Sequence, residues 1–279
     1  MDYLEVKIEV TPRNPWSEIL VAELADLGFE SFVDSETGVD AYAPVTIGDL
    51  SNLFSQTSLN ENPEVQINYT STVIPHQNWN AEWEANFEPV VVDERLVILA
   101  PFHDISSFQH ESKIIIQPQM SFGTGHHQTT FLMSQYLLDL PEVPKKVLDM
   151  GTGTGVLAIL AEFKGAEEIL AVDIEPWSVE NTKENAERNN CSKIKALEGD
   201  IEVTFGNKFG LILANINKNV LKAHLPSYAS ICETGGLLYL SGFFETDVAE
   251  LTSEAKKVGF ELVEVRTKET WASMKLIRS

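Results

Sequence analysis

The sequence predicts an α/β chain: a mostly parallel, doubly wound sheet in its larger part and a small α+β unit before it. Three observations lead there. From residue 145 onward, short apolar runs alternate with helical patterns, the signature of parallel β-α-β units. Before residue 70 the order reads β-α-β-β-α-β, a split sandwich that hosts many functions and names none. The charge divides the chain too, since residues 1–90 carry 16 acidic and two basic side chains whereas residues 91–279 carry 26 and 18.

Each element has its own warrant. Leu4, Val6, Ile8 and Val10 alternate with polar residues, as on a half-buried strand, and Pro12 and Pro15 end it. Ile19, Leu20, Leu24 and Leu27 fall at helical spacing, and Gly28 suits the position after a helix. Residues 29–33 and 39–43 read as strands about a turn at Glu36-Thr37-Gly38, 46–55 as a second helix, 56–63 as a polar loop and 65–69 as a fourth strand. Trp79, Trp83 and Phe87 share one helical face within 71–88, a face suited to packing between domains rather than to a ligand. Strands follow at 90–92, 96–99 and 113–116. In the larger part, strands at 147–149, 169–172, 194–197, 210–214 and 236–240 alternate with helices at 155–163, 176–189, 217–230 and 246–258. Residues 260–266 and 271–277 close the chain as a hairpin that adds an antiparallel strand.

Composition bounds the function. The 279 residues are 43% hydrophobic and 22% charged, normal for a core-forming chain of one large or two modest domains, and the net charge is −22. An acidic surface repels phosphate backbones and anionic lipid, so no nucleic acid and no membrane is expected, and a basic partner is favoured. Solubility alone is the other reading of the same charge. No apolar run approaches the ~20 residues of a membrane span. Met1-Asp2-Tyr3-Leu4-Glu5 lacks the basic and apolar regions of a secretion signal, and Cys191 and Cys232 form no CxxC motif. A cytoplasmic protein, monomeric, is expected.

The chemistry gathers around Val147-Leu148-Asp149-Met150-Gly151-Thr152-Gly153-Thr154-Gly155, which runs from an apolar strand into a helix. Gly151 and Gly153 let backbone approach a ligand closely; a tight βα turn is the plainer alternative. Asp173 ends the next strand, where a carboxylate can accept hydrogen bonds from both ribose hydroxyls of a nucleotide-like cofactor. Asp200, after the third strand, offers either an adenine contact or an ordinary turn. The glycines follow G-x-G-x-G with Val at 156, not the G-x-G-x-x-G of dinucleotide oxidoreductases. Asp149, at the strand end, would oppose a pyrophosphate and suit a cationic ligand, which favours S-adenosylmethionine over NAD. His126-His127 invites a metal reading, but no further ligands stand at suitable spacing, so no metal is expected. A proton-accepting role and a structural role remain for these histidines, and the structural one is favoured.

Two further segments, Phe122-Gly123-Thr124-Gly125-His126-His127-Gln128-Thr129-Thr130 and Asn215-Ile216-Asn217-Lys218-Asn219-Val220-Leu221, complete a pattern. With 149–155 and Val172-Asp173, they resemble the ribosomal protein L-eleven methyltransferase family. The resemblance covers residues 79–279 well; the first 70 match mainly in layout. It implies a ferredoxin-like substrate-recognition domain over 1–70, a linker helix over 71–90, and a seven-stranded, Rossmann-like class I methyltransferase domain over 91–279. It implies transfer of methyl groups from S-adenosylmethionine to lysine side-chain and N-terminal amines of that ribosomal protein, up to trimethylation. It carries cofactor binding to Thr130, Gly151, Gly153, Asp173 and Asn215, with Asp200 and Phe122 as further candidates, and Asn215 also orients the amine. Asn215 could instead be a polar cap of the following helix. Rival readings are an RNA methyltransferase, an NAD-linked oxidoreductase and a non-catalytic ribosome-assembly factor. The acidic first third speaks against the RNA enzyme, the glycine spacing against the oxidoreductase, and the intact Thr130, Asp173 and Asn215 set against the assembly factor.

Overall fold

The computed structural model describes residues 2–75, 84, 87–118 and 127–279. Its chain divides into two compact units, Met1–Asn86 and Phe87–Ser279.

In the first unit, β1 (Tyr3–Thr11) lies between β3 (Gly38–Pro44) and β4 (Gln66–Ile74), and β2 (Ser31–Asp34) flanks β3, giving the antiparallel order β2-β3-β1-β4. The alternation in β1 sets the faces. Val6, Ile8 and Val10 are buried with Val39, Ala41 and Ala43, beneath Leu20 and Leu24 of α1 (Trp16–Asp26) and Phe54 of α2 (Leu50–Ser55). Ala41 stands opposite Val6, so a small side chain beside a larger one leaves room for the helices. This is the ferredoxin-like arrangement. The expected 46–55 helix is split: a 3₁₀ turn at Val45–Ile47 precedes Gly48, and Asp49 then caps α2 by accepting from Asn52 N at 3.0 Å. β4 runs on to Ile74, past the expected end at 69. Trp79 and Trp83 lie outside the described residues, and Phe87 sits in irregular chain with its carbonyl 2.6 Å from His103 Nε2.

The second unit begins with a three-stranded sheet of β5 (Val90–Val92), β6 (Leu96–Leu99) and β7 (Ser112–Ile115). A helix not foreseen in the sequence follows, α3 (Gln128–Asp139). Eight of its 12 residues are buried, Thr129, Thr130 and Ser134 among them, so it shows no polar face to the eye. Then come β8 (Lys146–Met150), α4 (Val156–Phe163), β9 (Glu168–Asp173), α5 (Pro176–Arg188), β10 (Ile194–Glu198), β11 (Phe209–Asn215), α6 (Lys218–Ile231), β12 (Cys232–Phe244), α7 (Val248–Lys257), β13 (Phe260–Lys268) and β14 (Trp271–Arg278). They form a seven-stranded sheet in the order β10-β9-β8-β11-β12-β14-β13, parallel except where β14 enters antiparallel between β12 and β13. Alternate residues of β11 serve opposite layers. Leu211 and Leu213 pack with α3 and α4, whereas Ile212 and Ala214 pack with α6 and α7. The order reverses between β8 and β11, where an open α/β sheet places its ligand crevice.

The hydroxyl of Tyr239 is buried in the first of these layers without a hydrogen-bond partner among the described residues. Removing an unpaired buried hydroxyl costs nothing in lost bonds. The Tyr239→Phe protein should therefore keep or raise its unfolding free energy, by up to about 1 kcal/mol, in urea titrations followed by circular dichroism. A loss of similar size would reveal a bound water or other partner on that hydroxyl.

Candidate active site

The site is built on the exit of β8. Gly151, Gly153 and Gly155 adopt φ of 74°, 57° and 82°, the left-handed region that favours glycine. A Cβ on Gly151 would lie 2.1 Å from Ile216 Cγ2, so only hydrogen fits there. Gly151 N and Thr152 N both donate to Val172 O, at 2.8 and 3.0 Å, which ties the loop to the end of β9. Helix α5 takes the loop carbonyls: Thr182 Oγ1 donates to Gly153 O at 3.1 Å and Asn185 Nδ2 to Thr154 O at 3.0 Å.

Asp149 does not face the ligand as the sequence suggested. It shares the face of Val147, lies 1% exposed beneath the loop, and accepts from Thr152 Oγ1 at 2.8 Å. Burial pushes its carboxyl up to about 7, against hydrogen bonds from Thr152 and from Ala158 N in the first turn of α4. The expected preference for a cationic ligand survives on other residues. Asp173, Glu175 and Asp200 line the cleft, and no Lys or Arg does among the described residues.

The cleft has a volume of about 580 Å³ and lies at the carboxyl ends of the strands. The structure brings Gly151, Gly153, Asp173, Asp200 and Asn215 together on it. Asp173 Oδ2 accepts from Gly153 N at 2.9 Å and Oδ1 from Glu175 N at 3.1 Å. An ionised carboxylate has about four acceptor positions, so room is left for two hydroxyls. Asp200 caps a 3₁₀ turn, Ile201–Thr204, by accepting from Ile201 N at 2.7 Å. Asn215 Nδ2 donates to Thr130 Oγ1 at 3.5 Å, and Asn215 Oδ1 is buried without a partner among the described residues. Thr130 therefore stands behind Asn215, 1% exposed, and not on the cleft wall. Asn217, not Asn215, caps α6, by accepting from Asn219 N at 2.9 Å. Phe122 and His126 lie outside the described residues. His127 caps α3, with Nδ1 accepting from Thr129 N at 3.2 Å, and its ring meets Trp271 edge-on at 4.5 Å. Burial holds its pKa below the ordinary histidine value, with Glu269 opposing, so the ring is largely neutral at pH 7.

The sequence reading missed much of the wall. Ile174 and Trp177 are exposed apolar side chains at the rim, and Val220, His224, Gly242 and Trp271 arrive from distant segments. Ile174 and Ile216 had a signal, each following a predicted site residue. Trp271 had none, because its place depends on the insertion of β14. Among the described residues, no group of three or more His, Cys, Asp or Glu is placed to hold a metal ion.

S-adenosylmethionine fits what is present. A glycine cradle admits backbone contact, Asp173 has spare acceptor capacity, an orphaned Asn215 oxygen awaits a donor, and an uncompensated acidic wall suits a sulfonium and an ammonium. The strand order and this crevice are those of a class I S-adenosylmethionine-dependent methyltransferase. The comparisons narrow the class. The family model described as Ribosomal protein L11 methyltransferase (PrmA) matches residues 16–279. A protein of that name from Phocaeicola vulgatus is 41% identical, covering 99% of both chains, and one from Porphyromonas gingivalis is 41% identical over 99% of this chain and 97% of its own. The crystal structure of a ribosomal protein L11 methylase from Lactobacillus delbrueckii subsp. bulgaricus is 26% identical, with a TM-score of 0.63 over 69% of this chain and all of that one. The chain belongs to the ribosomal protein L11 methyltransferase family, and it is an S-adenosylmethionine-dependent protein methyltransferase.

The buried Asp149 gives a pH test. Its folded-state pKa is raised, so between about 4 and 7 the folded protein binds more protons than the unfolded one and stability falls as pH rises. Asp149→Asn removes that term while keeping an acceptor for Ala158 N. The variant should gain stability relative to the parent from pH 4 to pH 8 in parallel denaturant titrations; a difference that does not change with pH would show that the carboxyl does not titrate there.

Proposed function

We propose that this enzyme methylates lysine side-chain and N-terminal amines of the ribosomal protein L-eleven in the cytoplasm, as a monomer, proceeding to trimethylation. Residues 1–70, with the rest of β4 to Ile74, serve as the substrate-recognition domain, the segment from there to 90 as the linker and 91–279 as the catalytic domain. The observation that carries the reading is the orphaned Asn215 oxygen on an acidic cleft. An unpaired buried acceptor costs roughly 1–3 kcal/mol, and the N–H of an entering amine relieves it.

The donor is held by the Gly151 and Gly153 backbone, by Asp173 at the ribose, by Asp200 at the adenine and by Thr130 through Asn215. When bound, S-adenosylmethionine supplies a methyl carbon on a positively charged sulfur. The residues do the rest. A lysine with pKa near 10.4 is only about 0.04% neutral at pH 7. Desolvation in the cleft lowers that value, whereas a close carboxylate would raise it. Asn215 aligns the amine lone pair and, being uncharged, holds the protonated form less strongly than a carboxylate would. His127 and Trp271 present a neutral, water-excluding wall. Among the described cleft residues none is a strong base, and the proton leaves to water. The acidic first unit supplies the attraction for a basic ribosomal protein.

The test is incubation with isotopically labelled S-adenosylmethionine and a full set of unmodified ribosomal proteins, read by mass spectrometry. Label on amines of the one protein supports the proposal. Label on RNA or on another protein discards the substrate, and tight donor binding without label points to an assembly factor. In calorimetry, Asp173→Ala should weaken donor binding by about 1–3 kcal/mol; unchanged affinity removes the ribose assignment.

A further inference from the structure

We infer that His224 is a positioning residue for adenine recognition: through a 3.3 Å contact with Asp200 it fixes the carboxylate that selects the amino group of the base. This rests on the reading of Asp200 as the adenine contact. His224 lies on α6, lines the cleft and is 7% exposed. Its Nε2 is 3.3 Å from Asp200 Oδ1, and its Nδ1 is 3.4 Å from the hydroxyl of Tyr228, one turn further along the helix.

When the ring is neutral, these contacts determine its tautomer. An ionised carboxylate only accepts, so Nε2 carries the hydrogen toward Asp200. Nδ1 is then an acceptor and receives the Tyr228 O–H. Tyr228 is suited to that duty. Its side chain is fully buried, and burial, reinforced by the Asp200 charge, raises its pKa so that it stays a donor. The resulting line runs from phenol to imidazole to carboxylate, each group orienting the next.

Asp200 has reason to need it. Its side chain is 50% exposed and stands at the start of a single 3₁₀ turn, a place where a carboxylate otherwise rotates freely. Ile201 N and His224 Nε2 both converge on Oδ1, leaving Oδ2 for a ligand. A carboxylate fixed in advance attracts an amino N–H without the entropy cost of ordering on binding. It also repels a carbonyl oxygen at the same place. The discrimination is therefore between a 6-amino and a 6-oxo purine.

The experiment measures binding of S-adenosylhomocysteine and of S-inosylhomocysteine, its 6-oxo counterpart, by calorimetry. The parent should prefer the adenosyl compound. His224→Phe, which keeps a ring and loses both nitrogens, should bind S-adenosylhomocysteine about tenfold more weakly, with the inosyl compound unchanged or tighter. His224→Gln, which restores an N–H donor, should recover most of the preference, and Tyr228→Phe should shift it in the same direction by less. An unchanged preference, or an equal loss for both compounds, overturns the inference and leaves His224 as packing. Should His224→Phe not fold, Tyr228→Phe and His224→Gln decide on the same ratio. Asp200→Ala separates the two layers of the argument. If it leaves the preference intact, the adenine reading fails. If it abolishes the preference while the His224 variants do not, only the role of His224 fails.

Discussion

The catalytic unit depends on one carboxylate gripping one turn of backbone. Asp173 accepts from Gly153 N while its neighbour Val172 accepts from Gly151 and Thr152, so the exits of β8 and β9 are joined at the point where a ligand must enter. Three left-handed glycines have no preference of their own for this shape, and conformational entropy favours opening them. The fixed partners on β9 and α5 oppose it. Helix α5 buries Asn181, Thr182 and Asn185, and its C-cap Asn189 is buried too, polar side chains that would be costly without partners. Most are spent on bonds that link pieces of chain. Asn185 reaches Thr154 O on one side and receives Gln117 N on the other, and Asn189 brackets the backbone of Ile115. The glycine loop and the small sheet thus share one polar scaffold.

Electrostatics follow from this layering. The acid nearest the loop, Asp149, is withdrawn from the cleft and half neutralised near pH 7 by its own burial. The acids that remain on the wall, Asp173, Glu175 and Asp200, have no lysine or arginine beside them among the described cleft residues. A cation is welcome there and a diphosphate is not. On the proposed reading the amine must arrive neutral, and Asn215, on the same cleft, is uncharged. Separating charge for the donor from neutrality for the acceptor lets one cleft serve both.

Much of this was legible in the chain. Strict alternation marked β1, and the strand-helix rhythm after residue 145 marked β11 and the rest of the doubly wound sheet. Glycine spacing and strand-end polar residues marked five of the cleft positions. What failed has physical causes. Helix α3 is buried on nearly every side, and a helix without a polar face shows no amphipathic period. Asp149 was given the wrong face, although Val147 two residues before it marks that face as inward by the same alternation. Thr130 acts from behind Asn215, a distinction that no motif records. Trp271, His224 and Gly242 reach the cleft only because the sheet order folds distant segments onto one edge, and local pattern is silent on that.

The insertion of β14 between β12 and β13 also sets an order in time. Translation delivers β13 first, yet among the described residues β13 pairs only with β14 and must wait for it. Until then β12 lacks its outer neighbour as well, and Met274 and Leu276 are missing from the core layer beneath α6 and α7. Trp271 is the last of the cleft-lining residues to be made. A chain that has made β13 but not β14 therefore has a cleft wall still without Trp271.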